Sequence, residues 1–402
     1  MKILLLTAVY PRPDAPKTTT ATRVIHYFAT AWQRMGHDVV VIHTVNRLPR
    51  PVYYLPGALK RFVKKKTGFE VPNAAILQEI SYSYEGIPVY RKCLYKAIPQ
   101  HLSTTRAVRK CVDSICQTVR EIDFTPDLIV GHWAGPNAQL VSALKSRFSC
   151  PNALVLHGLS YVQKYPQKMA ELLRNIDRIG CRSSAMAFEV RQALSLPQTP
   201  FVCYSGIPDD YVASMQAQPL PALEHVSRFL FVGELIARKH VDTVIRALAD
   251  HVAHPWTLDV VGEGSCRAEL QSLAASLGVA DRVTFHGRIP REQVLDKMQC
   301  ADVFTMVSEN EAFGLVYLEA MAAGCLTVGS RKEGIDGVIT DGENGFLVKA
   351  GDPEELSALY GRIFDLSPEV RRAVAHSAKE TAIQMTDSAV AERYLSDLLS
   401  KD

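Results

Sequence analysis

The sequence predicts an α/β protein made of two Rossmann-like parallel-sheet domains facing across a cleft. Short apolar runs alternate with helical patterns along most of the chain, the signature of βαβ units. The alternation occurs twice, once in each half. At 402 residues the chain is also long for a single core, since a domain usually takes about 100 to 200 residues.

In the first half, apolar strands are expected at 2–7, 38–43, 127–131, 152–157 and 200–204, with helices at 20–35 and 135–147. The opening Met1–Tyr10 has an apolar core, but Pro11-Arg-Pro-Asp14 follows with no small-residue cleavage site. It therefore reads as the first buried strand and not as a signal peptide. In the second half, strands are expected near 228–233, 257–261, 282–286, 301–307 and 325–329, each followed by a helix. A linker is placed near Ser205-Gly-Ile-Pro-Asp209, supported by the weakly apolar stretch from Ala213 to Pro221. The domains are expected over 1–205 and 206–385, with a terminal helical segment over 386–402. Ligands of open parallel sheets bind beyond the carboxyl ends of the strands, so two facing sheets can hold two substrates.

The net charge of +3 conceals two opposed halves: residues 1–205 carry 27 Lys and Arg against 12 Asp and Glu, and residues 206–402 carry 18 against 30. A cationic half suits nucleic acid, anionic lipid or a phosphorylated substrate. The nine cysteines form no CxxC pair and no Cys/His metal spacing, which fits free thiols in a reducing cytoplasm. No apolar run reaches the roughly 18 to 20 residues that span a bilayer, so any membrane contact is expected to be peripheral.

The chemistry concentrates late in the chain. Glu311-Ala-Phe-Gly-Leu-Val-Tyr-Leu-Glu319 sets two carboxylates eight positions apart, with Gly314 at the start of a helix that begins at Leu315. Free N–H groups and the dipole at such a helix start suit a diphosphate. Ionised carboxylates accept hydrogen bonds from hydroxyls, one on a hexose and one on a ribose. Arg238 and Lys239 follow the strand Phe229–Gly233, where two cations can hold a pyrophosphate. Val261-Gly-Glu-Gly264 lacks the third glycine of a dinucleotide fingerprint, and no acidic residue ends the next strand to hold a ribose. His132 ends the strand Leu128–Gly131 and is expected to face the cleft, with His157 at the end of the next strand as the second candidate.

Five segments in order, Phe231–Lys239, Val260–Gly264, Val283–Gly287, Glu311–Glu319 and Thr340–Val348, resemble the retaining glycosyltransferases of the GT-B fold, glycosyltransferase family 4 (glycosyl transferases group 1). The first half matches in outline only, through Met35-Gly-His37 and Pro126–His132. The resemblance implies a metal-independent hexosyltransferase that needs no cofactor and takes a UDP-sugar or GDP-sugar donor. It assigns catalytic roles to His132, Lys239 and Glu311. It assigns donor binding to Arg238, Lys239, Glu311, Ala312, Phe313, Gly314, Leu315 and Glu319. In this pattern Glu311 binds donor hydroxyls and Glu319 the ribose diol. His132 hydrogen-bonds the transferred sugar, residues 286–289 pass near the base, and the last helix crosses back to the first domain. Two positions depart from the pattern: Glu234 stands where many relatives have Arg, and Thr19-Thr20 where many have Gly-Gly, with Arg23 and Thr18–Thr20 as substitute donors.

Ala58–Thr67 reads as a short amphipathic basic helix, with Leu59, Phe62 and Val63 on one face and Lys60, Arg61, Lys64, Lys65 and Lys66 around them. Arg91, Lys92, Lys96, Arg106, Arg109 and Lys110 extend the basic patch. Peripheral contact with anionic membrane at the inner face of the plasma membrane is the expectation, and a nucleic-acid partner is not, since no such module is present. The expected reaction is hexose transfer to a hydroxyl of a lipid-linked or cell-envelope glycan acceptor in the cytoplasm. The alternatives are a sugar-nucleotide epimerase of the same fold and a non-catalytic membrane-docked partner in glycan assembly.

Overall fold

The structure is a computed structural model and describes residues 1–12, 23–67, 78–96, 98 and 101–400. The chain divides into two compact units: Met1–Arg182, Met186–Cys203 and Ala391–Asp402 form the first, and Ser183–Ala185 and Tyr204–Val390 the second.

The first unit starts with β1 (Lys2–Thr7), α1 (Val24–Arg34) and β2 (Asp38–Arg47), then α2 (Arg50–Tyr53) and α3 (Gly57–Thr67). A hairpin of β3 (Ser81–Tyr84) and β4 (Ile87–Tyr95) leads to α4 (Thr105–Glu121), β5 (Leu128–His132), α5 (Asn137–Leu144) and β6 (Asn152–Leu156). The unit continues through α6 (Ser160–Lys164), α7 (Pro166–Leu173), β7 (Arg178–Cys181), α8 (Ser184–Leu194) and β8 (Phe201–Val202). Among the described residues its sheet has the order β3-β4-β2-β1-β5-β6-β7-β8, parallel except for the hairpin pair. Strand β1 is a run of Leu and Ile buried on both faces, as a parallel sheet covered by helices on both sides requires. Helix α4 is capped by Thr104, whose side chain accepts from the Ala107 N–H at 3.3 Å. It buries Val108, Cys111, Val112, Ile115 and Val119, a stripe at helical spacing.

The second unit runs α9 (Asp209–Gln216), β9 (Arg228–Val232), α10 (Val241–Ala249), β10 (Thr257–Val261), α11 (Arg267–Ser276), β11 (Val283–Gly287) and α12 (Arg291–Cys300). It then adds β12 (Val303–Thr305), α13 (Leu315–Ala322), β13 (Leu326–Ser330), β14 (Phe346–Val348), α14 (Pro353–Asp365) and α15 (Pro368–Ile383). Its sheet is parallel in the order β11-β10-β9-β12-β13-β14. Strand order reverses between β9 and β12, and the carboxyl ends of these two strands flank the crevice where open α/β sheets bind ligands. The final helix α16 (Asp387–Leu399) gives its last turns to the first unit. There the Trp32 Nε1–H donates to the Ala391 carbonyl at 2.9 Å, and Arg178 donates to Ser400 Oγ at 2.6 Å.

Several elements differ from the sequence expectation. The strand expected at 301–307 is regular only over Val303–Thr305, and just before it the Asp302 side chain accepts from the Ser227 and Arg228 N–H groups, each at 2.9 Å. Residues 213–216, taken as part of a junction, close helix α9. Strands β3, β4, β7 and β14 were not anticipated. The basic patch is also divided by the fold: Arg91, Lys92 and Lys96 are buried on or just after β4, while Arg106, Arg109 and Lys110 lie exposed on α4. Lys92 pairs with Glu79 at 3.3 Å and Lys96 donates to the Tyr161 hydroxyl at 2.8 Å. Burial, with Lys164 nearby, lowers the Lys96 pKa to about 8.

Candidate functional site

The strand-order reversal of the second unit brings the two key segments together. From β9 the chain enters a 3₁₀ turn over Ala237–Lys239 and passes through His240 in the left-handed region at φ 49° before α10 begins. This turn directs Lys239 inward, where it is 8% exposed. From β12 the chain runs through Met306–Asn310 to Glu311. The Lys239 Nζ lies 2.5 Å from Glu311 Oε2 and 3.4 Å from Met306 Sδ. Arg238 reaches the same carboxylate oxygen at 3.5 Å and the Glu309 carbonyl at 3.4 Å. Arg238 and Lys239 thus converge on one carboxylate. Lysine carries three donors, so Lys239 can hold Glu311 and still donate to an anion.

Helix α13 starts beside this cluster. Its N-cap is Gly314 at φ 82° and ψ 74°, a conformation that costs glycine little, and a Cβ here would lie 2.6 Å from the Tyr317 ring. No side chain caps the helix, so its first N–H groups remain available to an anion. Phe313 is buried, while Ala312 and Leu315 are more open. The turn is braced from behind: the Glu311 N–H donates to Glu333 Oε2 at 2.8 Å, and the Gly334 N–H donates to the Glu311 carbonyl at 3.0 Å. Burial raises the Glu333 pKa. Glu333 and Gly334 were not picked out from the sequence, although a Glu-Gly pair just after a strand was a readable turn signal.

Glu319 sits on α13 at 7% exposure. Its Oε1 is held by Arg291 at 2.5 Å, and its carbonyl accepts from the Tyr211 hydroxyl at 2.8 Å. Burial raises the Glu319 carboxyl pKa, and Arg291 opposes that rise. The sequence expectation gave Glu319 no protein partner. Arg291, the first residue of α12, is that partner and was missed because 28 positions separate the two.

The Gly262-Glu-Gly264 turn packs under the β9 loop. Gly262 sits at φ 141°, and a Cβ there would fall 1.8 Å from the Gly233 carbonyl oxygen, so this close approach requires glycine. The Leu235 N–H donates to the Glu263 carbonyl at 3.0 Å and the Gly262 N–H to Gly287 at 2.9 Å, which joins the turns after β9, β10 and β11. In β11, His286 is held by Asp259 at 2.5 Å.

In the first unit, His132 ends β5 as the spacing predicts, but it is wholly buried and so does not face open space. Phe28 stacks on it at 6.1 Å, and both ring nitrogens are used: Nδ1 lies 2.9 Å from His157 Nε2, and Nε2 lies 3.2 Å from the Tyr394 hydroxyl on α16. Burial and then Arg182 hold the His132 pKa well below its usual value, and the same causes with His132 itself do so for His157. His157 is half-buried and stacks on Trp133 at 3.9 Å, and its Nδ1 has no hydrogen-bond partner among the described residues. Trp133 is in the left-handed region at φ 66°, local strain of the kind stored at functional sites. Arg23 pairs with Glu85 at 2.5 Å, while Thr18–Thr20 lie outside the described residues. Among the described residues, no three His, Cys, Asp or Glu side chains group as metal ligands. None of the nine cysteines forms a disulfide.

A family model described as Glycosyl transferases group 1 matches residues 217–381, and one described as Glycosyltransferase Family 4 matches residues 21–211. The chain is 39% identical over 164 residues to the D-inositol 3-phosphate glycosyltransferase of Acidothermus cellulolyticus, a match that spans 37% of this chain and 37% of that relative's length. It is 29% identical over 278 residues to the lipopolysaccharide core biosynthesis glycosyltransferase LpsE of Rhizobium meliloti, covering 69% of this chain and 76% of the relative. The solved structure of the Anabaena protein HepE in complex with UDP has the same fold, with a TM-score of 0.66 at 19% identity over 98% of this chain and 99% of that one.

Proposed function

Because the chain belongs to the family 4 glycosyltransferases of the GT-B fold, we propose that it moves a hexose from a nucleoside-diphosphate sugar to a hydroxyl of a lipid-linked or cell-envelope glycan, with retention of configuration. The observation that carries this reading is the convergence of Arg238, Lys239 and Glu311 beside the open N-terminus of α13, at the strand-order reversal of the second unit. The donor is assigned to that second unit and the acceptor to the first.

In the reaction the acceptor oxygen bonds to the anomeric carbon on the face that the diphosphate leaves. The bond from that carbon to the diphosphate oxygen breaks, and the acceptor proton passes to the departing diphosphate. Arg238, Lys239 and the first N–H groups of α13 offset the charge that develops on the leaving group, and we infer that this suffices without a metal ion. Glu311, oriented by Lys239 and braced by Glu333, accepts from sugar hydroxyls, and Glu319 accepts from the ribose with Arg291 holding its carboxylate in place. Ala312, Phe313, Gly314 and Leu315 form the backbone cradle between them. With both nitrogens engaged, His132 is a positioning residue. It fixes the ring of His157, whose remaining nitrogen can bond an acceptor hydroxyl within the first unit. UDP is the first nucleotide to try, since HepE binds it.

The exposed Leu59 and Phe62 on α3, beside Lys60 and Arg61, support peripheral docking on anionic lipid at the inner membrane face. The side chains of Lys64, Lys65 and Lys66 lie outside the described residues. No helix among the described residues is long and apolar enough to cross a membrane.

The test is release of nucleoside diphosphate from UDP- and GDP-hexoses, with and without an envelope lipid extract, followed by NMR of the product linkage. Acceptor-dependent release with the donor's anomeric configuration retained is the expected result. Interconversion of the sugar nucleotide without any acceptor would move the assignment to an epimerase.

A further inference from the structure

Arg106 and Lys110 stand four residues apart on the exposed start of α4, where like charges repel and cations oppose the helix dipole. The first turn of this 17-residue helix holds no acidic residue to compensate. Both side chains line a cavity of about 650 Å³ together with Arg47 and Arg50. The cavity lies at the carboxyl ends of the parallel neighbours β2 and β4, where the Lys96 N–H donates to the Arg47 carbonyl at 2.8 Å. This is the end of a parallel sheet at which ligands bind.

The one carboxylate in its lining, Glu79, is already engaged. Its Oε1 accepts from the Cys93 N–H at 3.2 Å, and its Oε2 accepts from Lys92 Nζ at 3.3 Å and from the Ser114 hydroxyl at 3.2 Å. Among the described residues, none of Arg47, Arg50, Arg106 and Lys110 is ion-paired with a carboxylate. Thr104 caps only the Ala107 N–H, and the helix offers no acceptor to the N–H groups of Thr105 and Arg106. Four cationic residues therefore line one concave volume of a size usual for small-ligand sites. A multiply charged anion would turn each of these repulsions into an attraction.

We propose that this cavity binds a phosphate ester carried by the acceptor. The proposal rests on the reading of the first unit as the acceptor-binding one. It departs from the simple basic membrane patch, because it gives Arg106 and Lys110 a defined ligand chemistry. Guanidinium groups pair bidentately with phosphate oxygens, and the volume holds more than a single phosphate group.

The test is calorimetric titration of the full chain with inorganic pyrophosphate at low salt, made on a Lys239→Ala background so that the diphosphate site of the second unit is weakened, beside a separate titration of the unsubstituted chain with UDP. The Arg106→Ala/Lys110→Ala variant should bind pyrophosphate at least about tenfold more weakly, with UDP binding and melting temperature unchanged. Arg47→Ala, on a different element, should show a loss in the same direction. Unchanged pyrophosphate binding in both variants overturns the proposal, whatever UDP does. Pyrophosphate binding at this cavity without UDP binding by the unsubstituted chain counts against the donor reading and leaves the cavity assignment standing. Flotation with phosphatidylcholine vesicles, with and without phosphatidic acid, separates the two sources of phosphate. Flotation on acid-containing vesicles that Arg106→Ala/Lys110→Ala loses assigns the site to a lipid headgroup, whereas pyrophosphate binding without flotation assigns it to a soluble ester.

Discussion

Replacing Lys239 by alanine removes the cation that lies 2.5 Å from Glu311, with the two side chains only 10% and 14% exposed. Deleting one partner of a buried pair costs about 3 to 5 kcal/mol, chiefly because the other charge is left unpaired. Arg238 remains 3.5 Å from the same carboxylate, and both groups keep some contact with solvent. The expected loss for Lys239→Ala is therefore smaller, about 2 kcal/mol. Glu311→Gln strands the lysine instead and should cost about 1 to 2 kcal/mol. The double variant strands neither group, so its loss should fall short of the summed single losses by about 1 kcal/mol or more. Urea unfolding of the four proteins at one pH closes this cycle. On the donor side, losing a charge-assisted hydrogen bond of about 1.5 to 3 kcal/mol should weaken nucleotide binding about ten- to hundredfold. Single losses that add to within about 0.3 kcal/mol would refute the coupling of Lys239 to Glu311.

Three further outcomes are expected. Arg291→Ala should destabilise the protein at pH 7.5 and do so progressively less as the pH is lowered: without Arg291 the raised Glu319 pKa climbs further, and protonation relieves the buried charge. Melting curves at pH 7.5 and 4.5 check this, and an equal loss at both would contradict it. For the histidine pair the sign is opposite: folded-state pKa values below the unfolded value mean that stability is present above about pH 6.5 and is lost as the pH falls below it. His132→Gln should flatten that acid limb of the stability profile. Gly314→Ala, which forces a side chain to φ 82° against Tyr317, should cost about 1 to 3 kcal/mol and weaken nucleotide binding, readable together by melting with and without nucleotide.

Fold class was legible because the central strands of both sheets run parallel and are buried on both faces, so strands such as Ile3–Leu6 and Phe229–Phe231 appear as continuous apolar runs. Strand β4 escaped because Arg91 and Lys92 interrupt its pattern, and only the fold shows that β4 buries them. Within the site, Lys239, Glu311, Gly314 and Glu319 stood out by spacing along the chain. Their partnerships did not. The 72 positions between Lys239 and Glu311, and the 28 between Arg291 and Glu319, are closed only by strand order, which no local pattern encodes. His132 was placed correctly at a strand end, but its burial depends on Phe28 and on Tyr394, 262 positions away on the last helix.

The second unit is expected to bind a nucleoside-diphosphate sugar through Lys239 and Glu319. The most direct measurement is a melting screen of purified protein against UDP-, GDP-, ADP- and dTDP-sugars, repeated on Lys239→Ala and Glu319→Ala. Stabilisation of about 2.7 kcal/mol by one nucleotide class at a hundred times its Kd, lost in both variants, is the predicted result. Folded protein that none of the four stabilises, or stabilisation that survives both substitutions, would contradict it.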